Sequence, residues 1–175
     1  MATPVKKTGK TRPARAISRR SSKMVAAGLI ALAACCAACD PSQASQGQYV
    51  HLPDAGWDSA LPLRFTPSLP DSTASYDLTV AVRHSTAYGY RNLNLVVDLI
   101  DDSARVERHK AHFVLADDYG NWLGTGFGTL YQSKLTVARR VPAGHARRVV
   151  VWQSMTDCPV LHGVEDVGLI TKKAE

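Results

Sequence analysis

The sequence has little cysteine outside one short segment, few aromatic residues, and only one long apolar run. Three of its four cysteines lie at positions 35, 36 and 39, so the rest of the chain holds only Cys158. A single cysteine cannot form an internal disulfide. Residues 40–175 are also predicted to hold no cysteine-based zinc or redox site, because either would need more than one cysteine. The long apolar run covers residues 24–38, which excludes a protein that spans the membrane several times.

Acidic residues are absent from the first 23 positions, which carry eight Lys and Arg residues. The whole chain has 21 basic and 15 acidic residues and a formal net charge of +6. From position 24 onward, 13 basic residues stand against 15 acidic ones, a net of −2. Because the basic excess belongs to a segment that we expect to be removed, we predict that the mature protein binds no nucleic acid.

Residues 1–34 are predicted to form a lipoprotein signal peptide. The apolar residues 24–34 are too few to span a hydrocarbon layer about 30 Å thick. Leu32-Ala-Ala-Cys35 then supplies the small residues and the thiol that lipoprotein processing requires. We predict acylation at Cys35, with Cys39 as the alternative, and anchoring to a membrane through two or three acyl chains. Cleavage as an ordinary secretory peptide is the competing interpretation, but it leaves the clustered cysteines unexplained.

After the anchor, residues 40–48 are small and polar, which predicts that residues 35–48 form a flexible tether. Residues 49–175 are predicted to form one domain, in which apolar residues recur every second position. The clearest runs are Tyr76–Val82, Leu93–Leu99 and Leu135–Val141, and turn residues separate them. We therefore predict an all-β fold, an antiparallel β-sandwich of about eight strands that resembles a jelly roll.

Residues that could carry chemistry are few. His109 and His112 are three apart, so on a strand they point to opposite faces, and we interpret both as solvent-facing. The glycines of residues 124–128 lack the strand and helix of a phosphate loop, and we interpret them as bends or bulges that let Trp122, Phe127 and Tyr131 pack closely. We predict no catalytic residues, no metal site, no cofactor and no small-molecule substrate.

The chain from Cys39 onward resembles the gliding-motility lipoprotein family GldH of the Bacteroidetes. The motifs that carry the resemblance are Gly56-Trp-Asp58, residues 76–84, Tyr88–Leu93, residues 116–131, Met155–Gly163 and Asp166–Leu169. The resemblance favours Cys39 as the acylated residue, which is why Cys39 is retained as the alternative to Cys35. The long basic leader and Cys158 depart from the family pattern.

The resemblance implies a non-enzymatic, lipid-anchored component of the cell envelope, exposed outside the cytoplasm and facing the periplasm. It also implies partners among other gliding and type IX secretion proteins. An alternative function is a carbohydrate-binding β-sandwich lipoprotein, in which Trp57, Trp122 and Tyr131 would form a stacking platform.

The segment Asp117–Tyr131 concentrates large aromatic residues and glycines, and we predict that it is a partner-contact or fold-defining loop. Its aromatic residues are Tyr119, Trp122, Phe127 and Tyr131. Large aromatic side chains supply much of the contact energy at protein interfaces. The alternative is that Trp122 and Phe127 plug one end of the sandwich.

Overall fold

The computed structural model describes residues 45–175. The predicted signal peptide, both candidate acylation cysteines and most of the predicted tether lie outside the described residues. Within the described part, the only helix is a 3₁₀ turn at Ala143–His145. None of these residues forms a helix long and apolar enough to cross a membrane.

Eleven strands make up this part of the chain. They are β1 (Gln46–His51), β2 (Trp57–Asp58), β3 (Leu63–Phe65), β4 (Ser75–Ser85), β5 (Asn92–Ile100), β6 (Val106–Val114), β7 (Thr125–Phe127), β8 (Leu130–Pro142), β9 (Arg148–Gln153), β10 (Val160–Leu161) and β11 (Val164–Lys173). A five-stranded sheet has the order β1-β11-β4-β8-β7, and a four-stranded sheet has the order β3-β9-β5-β6. The short strands β10 and β2 pair with each other.

The strand pairing is nested once the short additions β2, β7 and β10 are set aside. The first remaining strand pairs with the last (β1 with β11), and the second with the second to last (β3 with β9). The third pairs with the third to last (β4 with β8), and the central two pair with each other (β5 with β6), all antiparallel. Eight strands wrapped into two sheets in this order form a jelly roll, so the predicted fold class is confirmed.

The core lies between the two sheets and follows directly from the period-two pattern. Leu78, Val80 and Val82 of β4 are fully buried, and the inward residues of β5 are at most 1% exposed. Both sheets contribute to one buried cluster, which includes Leu78, Val80, Val82, Leu93, Leu95, Val97, Leu99, Val149, Val151, Val167 and Leu169. Removing this apolar surface from water is the main force that holds the sheets together.

The domain begins earlier than the sequence pattern indicates. Residues 46–48, which we placed in the tether, form the start of β1 and pair with residues 169–171 of β11. Their side chains are exposed, so no apolar alternation reveals the strand. Main-chain hydrogen bonds at the edge of the sheet are enough to order them.

The loops gather at two ends of the sandwich, which we call the tether pole and the aromatic pole. The tether pole comprises the start of β1 and residues 66–77, 100–106, 139–148 and 171–175. The aromatic pole comprises residues 51–62, 84–92, 115–131 and 154–166. The eleven residues of β4 connect the two poles, a distance of about 33 Å at roughly 3.3 Å per residue.

Candidate functional site

The aromatic pole holds a cluster of four rings that pack on one another, and the exposed ring of Tyr90 flanks it, 5.7 Å from that of Tyr88. The ring of His84 lies 4.5 Å from that of Trp122 and 5.6 Å from that of Tyr88, measured between centroids. Tyr131 stacks on His84 at 5.8 Å with an interplanar angle of 18°, and it lies 6.0 Å from Trp122. Offset and tilted arrangements at these distances are favourable because the rings present unlike edges and faces.

Strand register brings these rings together. His84 near the end of β4 lies directly opposite Tyr131 at the start of β8. Trp122 is held by a single β-bridge between its own backbone and Ala116. The hydroxyl of Tyr88 donates a hydrogen bond to the carbonyl oxygen of Asn92 at 2.9 Å. Strand pairing, the β-bridge and this hydrogen bond therefore position the four rings against one another.

His84 is fully buried within this cluster. Its Nδ1 lies 3.2 Å from the carbonyl oxygen of Ser85, which places the ring proton on Nδ1. Nε2 has no hydrogen-bond partner among the described residues. Burial lowers the pKa of His84 by disfavouring the charged ring, while the contact with Ser85 raises it less. The imidazole is therefore neutral at neutral pH.

Two glycines allow β7 to lie close to β8. A Cβ atom on Gly126 would stand 2.6 Å from Cδ1 of Tyr131, and one on Gly124 would stand 2.6 Å from the carbonyl oxygen of Gln132. Real Cβ atoms do not approach this closely, so any larger residue would displace the hairpin. The ring of Tyr131 thus covers Gly126, whereas Phe127, which we expected to pack closely here as well, is 96% exposed.

The four aromatic residues of the predicted loop divide into two pairs. Trp122 is half-buried and packs against the core, and Tyr131 is also half-buried. Tyr119 and Phe127 are 92% and 96% exposed. Trp122 therefore takes the position of an end plug, whereas Phe127 does not plug the sandwich and stands in solvent at the tip of the β7–β8 hairpin.

A turn organised by Asp117 carries Tyr119 outward. Oδ1 of Asp117 accepts hydrogen bonds from the backbone N–H groups of Tyr119 at 2.9 Å and Asn121 at 2.8 Å. The side chain of Asn121 donates to Oδ2 at 2.9 Å. Hydrogen bonds from Asn121 are the main reason why the pKa of Asp117 lies below its usual value. This aspartate stabilises the turn, which is the ordinary role of Asp in such loops.

A groove of about 450 Å³ lies beside Phe127 and is lined by β7, the start of β8 and Arg83 of β4. The Nε group of Arg83 donates to Oε1 of Gln132 at 2.9 Å, and its guanidinium lies 4.4 Å from the ring centre of Tyr49. These contacts hold the side chain of Arg83 across the outer face of the sheet.

His84 and Tyr88 belong to the cluster, but neither was predicted from the sequence to be a site residue. The signal was present for His84, because it continues the inward series of alternate residues that runs from Tyr76 to Val82. A histidine in that series is expected to have a buried imidazole. Tyr88 lies in a loop where no periodicity applies.

The structure separates the other residues that we considered. Trp57 is 2% exposed and donates its indole N–H to the carbonyl oxygen of Leu61 at 3.0 Å, so it offers no face for stacking. His112 is exposed, but His109 faces the inner side opposite Val97 and is half-buried, so its interpretation as solvent-facing was wrong. Among residues 45–175, no group of three His, Cys, Asp or Glu side chains could hold a metal ion.

Comparison with known proteins identifies relatives over most of this domain. A family model described as GldH lipoprotein matches residues 45–170. A gliding motility lipoprotein GldH homolog from Christiangramia forsetii is 29% identical over 113 residues, covering 60% of this chain and 70% of the relative. The gliding motility lipoprotein GldH of Flavobacterium johnsoniae is 27% identical over 117 residues, covering 67% of this chain and 74% of the relative.

Two viral proteins of known structure show a weak likeness. The infectious bursal disease virus VP2 subviral particle overlaps 77% of this chain and 34% of its own, with a TM-score of 0.30 and 13% identity. The tobacco streak virus coat protein overlaps 78% of this chain and 91% of its own, with a TM-score of 0.32 and 7% identity. Similarity at this level carries no functional argument.

Proposed function

Because the chain belongs to the GldH lipoprotein family, we propose that it is a membrane-anchored, non-enzymatic component of the cell envelope that acts with other gliding and type IX secretion proteins. The relatives are named gliding motility lipoproteins, which supports a role in that machinery. We propose acyl attachment at Cys35, or at Cys39 as the alternative, with the domain facing the periplasm.

The observation that carries the proposed partner contact is the exposure of Phe127 at the tip of the β7–β8 hairpin. Exposed apolar side chains are also concentrated at the same pole. Of the ten large apolar side chains exposed among the described residues, seven belong to the aromatic pole: Leu61, Tyr90, Tyr119, Leu123, Phe127, Leu130 and Val160. Single exposed apolar residues are ordinary, but their accumulation at one end is typical of a protein interaction surface.

Charge defines the chemistry of the partner. The aromatic pole has seven acidic residues and one Lys or Arg, a net of −6, and Arg83 at its border pairs with Asp166 at 3.7 Å. The acids are Asp54, Asp58, Asp117, Asp118, Asp157, Glu165 and Asp166, and the base is Arg91. A partner surface that combines basic and apolar side chains complements this pole, because opposite charge speeds encounter and apolar burial supplies the affinity.

Co-purification from the native envelope tests this proposal. We expect Phe127→Ala to keep the thermal stability of the parent protein and to lose the envelope proteins that co-purify with the parent. Val106→Ala is the matched control, because Val106 is also exposed, at 51%, but lies at the tether pole. Gliding or type IX secretion should fall with Phe127→Ala and not with Val106→Ala. A Phe127→Ala protein that retains every partner would refute the proposed surface.

A further inference from the structure

The tether pole contains a polar cleft of about 290 Å³ with many basic side chains. Its basic lining residues are Arg139, Arg140, Lys172 and Lys173. Arg139 pairs with Asp77 at 3.5 Å, and Lys173 pairs with Asp71 at 2.8 Å. Arg140 and Lys172 form no ion pair within residues 45–175, although the carboxylate of Glu175 also lines the cleft.

A β-bulge directs two of these bases outward. Tyr76 pairs with Val141 and Leu78 with Ala138, so Asp77 alone stands opposite both Arg139 and Arg140. Arg140 has a φ of 52°, in the left-handed region, and its backbone N–H donates to Oδ1 of Asp77 at 2.9 Å. Glycine usually occupies such a bulge position, because a Cβ atom makes it strained. Compared with glycine, an arginine at this position adds a cation to the cleft and keeps the backbone strain of the left-handed conformation.

The cleft lies at the end of the domain from which the anchor segment departs. β1 begins at Gln46, seven residues after Cys39 and eleven after Cys35. At about 3.5 Å per residue, a fully extended tether spans at most about 25 Å from Cys39 or about 40 Å from Cys35. The tether pole is therefore held within that distance of any membrane that carries the acyl chains.

We propose that the tether pole faces the membrane and that Arg140 and Lys172 contact the phosphates of anionic lipid headgroups, an inference that rests on the lipid anchor of the proposed function. The tether pole carries seven basic and five acidic residues, a net of +2, against −6 at the aromatic pole. Charges beyond a screening length of about 8 Å from the surface contribute little. An anionic membrane attracts the cleft, and it repels the aromatic pole when that pole comes near. The domain is therefore oriented with the tether pole toward the membrane and Phe127 away from the lipid.

Energy transfer from the intact lipidated protein to a membrane dye tests this orientation. A fluorescent non-natural amino acid replaces exposed Ser103 at the tether pole or exposed Thr129 at the aromatic pole. The protein is placed in phosphatidylcholine vesicles with or without phosphatidylglycerol, each containing an acceptor lipid. We expect anionic lipid to increase transfer from position 103 and to decrease it from position 129.

Charge variants identify the responsible groups. Arg140→Gly combined with Lys172→Gln should abolish most of the lipid-dependent change without unfolding the protein, because glycine suits the bulge. Lys134→Gln is the matched control, since Lys134 is exposed on β8 between the poles, and it should leave the change intact. Equal transfer from both positions, or a double variant that behaves like the parent, would overturn the proposal.

A further arm separates lipid phosphate from a soluble anion. In vesicles without phosphatidylglycerol, inorganic phosphate added at constant ionic strength should not raise the melting temperature of the protein. If phosphate raises the melting temperature of the parent but not of the double variant, while anionic lipid leaves the orientation unchanged, the cleft binds a free anion and the membrane assignment is wrong. The vesicles contain no partner protein, so failure here leaves the proposed partner surface at Phe127 to be judged by co-purification alone.

Discussion

The two poles are built from opposite ends of the same strands, yet they are constructed differently. Both poles contain turns in which an aspartate accepts a backbone N–H two residues ahead: Asp71 and Asp101 at the tether pole, Asp58 and Asp117 at the aromatic pole. The aromatic pole adds rings that pack around buried His84 and glycines that permit contacts closer than any other residue allows. Such polar turns tolerate many sequences, whereas close-packed rings and glycines tolerate few. The loop motifs that carry the resemblance to the family lie at the aromatic pole.

The largest difference between the poles should come from substituting their glycines. Gly163 has a φ of +82°, and a Cβ atom there would stand 2.5 Å from the backbone nitrogen of Tyr88. We expect Gly163→Ala to lower the free energy of unfolding by about 3–5 kcal/mol, from the clash and the left-handed backbone together. Gly144 at the tether pole has no atom within 4 Å of an added Cβ, so Gly144→Ala should change stability by less than about 0.5 kcal/mol. Urea denaturation measures both values, and equal losses would remove the contrast between the poles.

Within the aromatic pole, substitutions of half-buried and of exposed aromatic residues should have clearly different effects on stability. Trp122→Ala removes a ring that packs on His84, Tyr88 and Tyr131. We expect it to lower the free energy of unfolding by about 2–3 kcal/mol, less than for a fully buried tryptophan. Tyr119→Ala is the control and should remain within about 0.5 kcal/mol of the parent. Thermal or urea unfolding gives the comparison, and a stable Trp122→Ala protein would show that the ring is not an end plug.

The poles should also respond to different ranges of pH. Burial places the folded-state pKa of His84 below the unfolded value of 6.5, so the unfolded chain binds the extra proton. The free energy of unfolding should therefore decrease as the pH falls below about 6.5, by no more than about 1.4 kcal/mol per pH unit for one proton. His84→Leu should reduce this slope between pH 6.5 and 5 in urea denaturation series. An unchanged slope would show that His84 is not the group responsible.

At the tether pole, the corresponding loss should occur at lower pH. The ion pair with Lys173 is the main reason why the pKa of Asp71 lies below its usual value of 3.8. Its stabilising effect is complete above that value and is lost as the pH falls below it. The variant Asp71→Asn should therefore weaken the pH dependence of unfolding below about pH 4 and leave the range between pH 5 and 6.5 unchanged.

The smallest expected effect is a gain at the tether pole. Arg140→Gly removes the backbone strain of an arginine in the left-handed region. It also makes the unfolded chain more flexible, which offsets part of the gain in stability. We expect the free energy of unfolding to rise by a few tenths to about 1 kcal/mol. Arg139→Gly, at the other residue of the same bulge, lacks this relief and should destabilise slightly. Loss of stability in Arg140→Gly would mean that its side chain supports the fold rather than serving the cleft.

The sheets could be predicted from the sequence because their longer strands alternate apolar and polar residues within short segments of the chain. Residues Leu78–Val82 and Leu93–Leu99 alternate, and alternation alone fixes which side chains enter the core. The start of β1 could not be predicted this way, because residues 46–48 have exposed side chains and only their backbone hydrogen bonds order them. The three short strands β2, β7 and β10 are likewise too short to show a period.

The ring cluster was only partly predictable. Aromatic density within residues 117–131 marked Trp122 and Tyr131, but their partners His84 and Tyr88 come from distant parts of the sequence. Which aromatic residues face the core depends on the register between β4 and β8, and on turns such as the one at Asp117. A single sequence does not carry that long-range information, so Phe127 and Trp122 could not be told apart before the structure.

Photo-crosslinking in living cells tests most directly the claim that one pole faces partners and the other faces the membrane. A photoreactive amino acid is placed at position 127 in one strain and at exposed position 103 of the tether pole in another, so that Arg140 and Lys172 are retained. We predict adducts with envelope proteins from position 127 and adducts with lipid, but not with protein, from position 103. Protein adducts from position 103 together with lipid adducts or none from position 127 would contradict this claim.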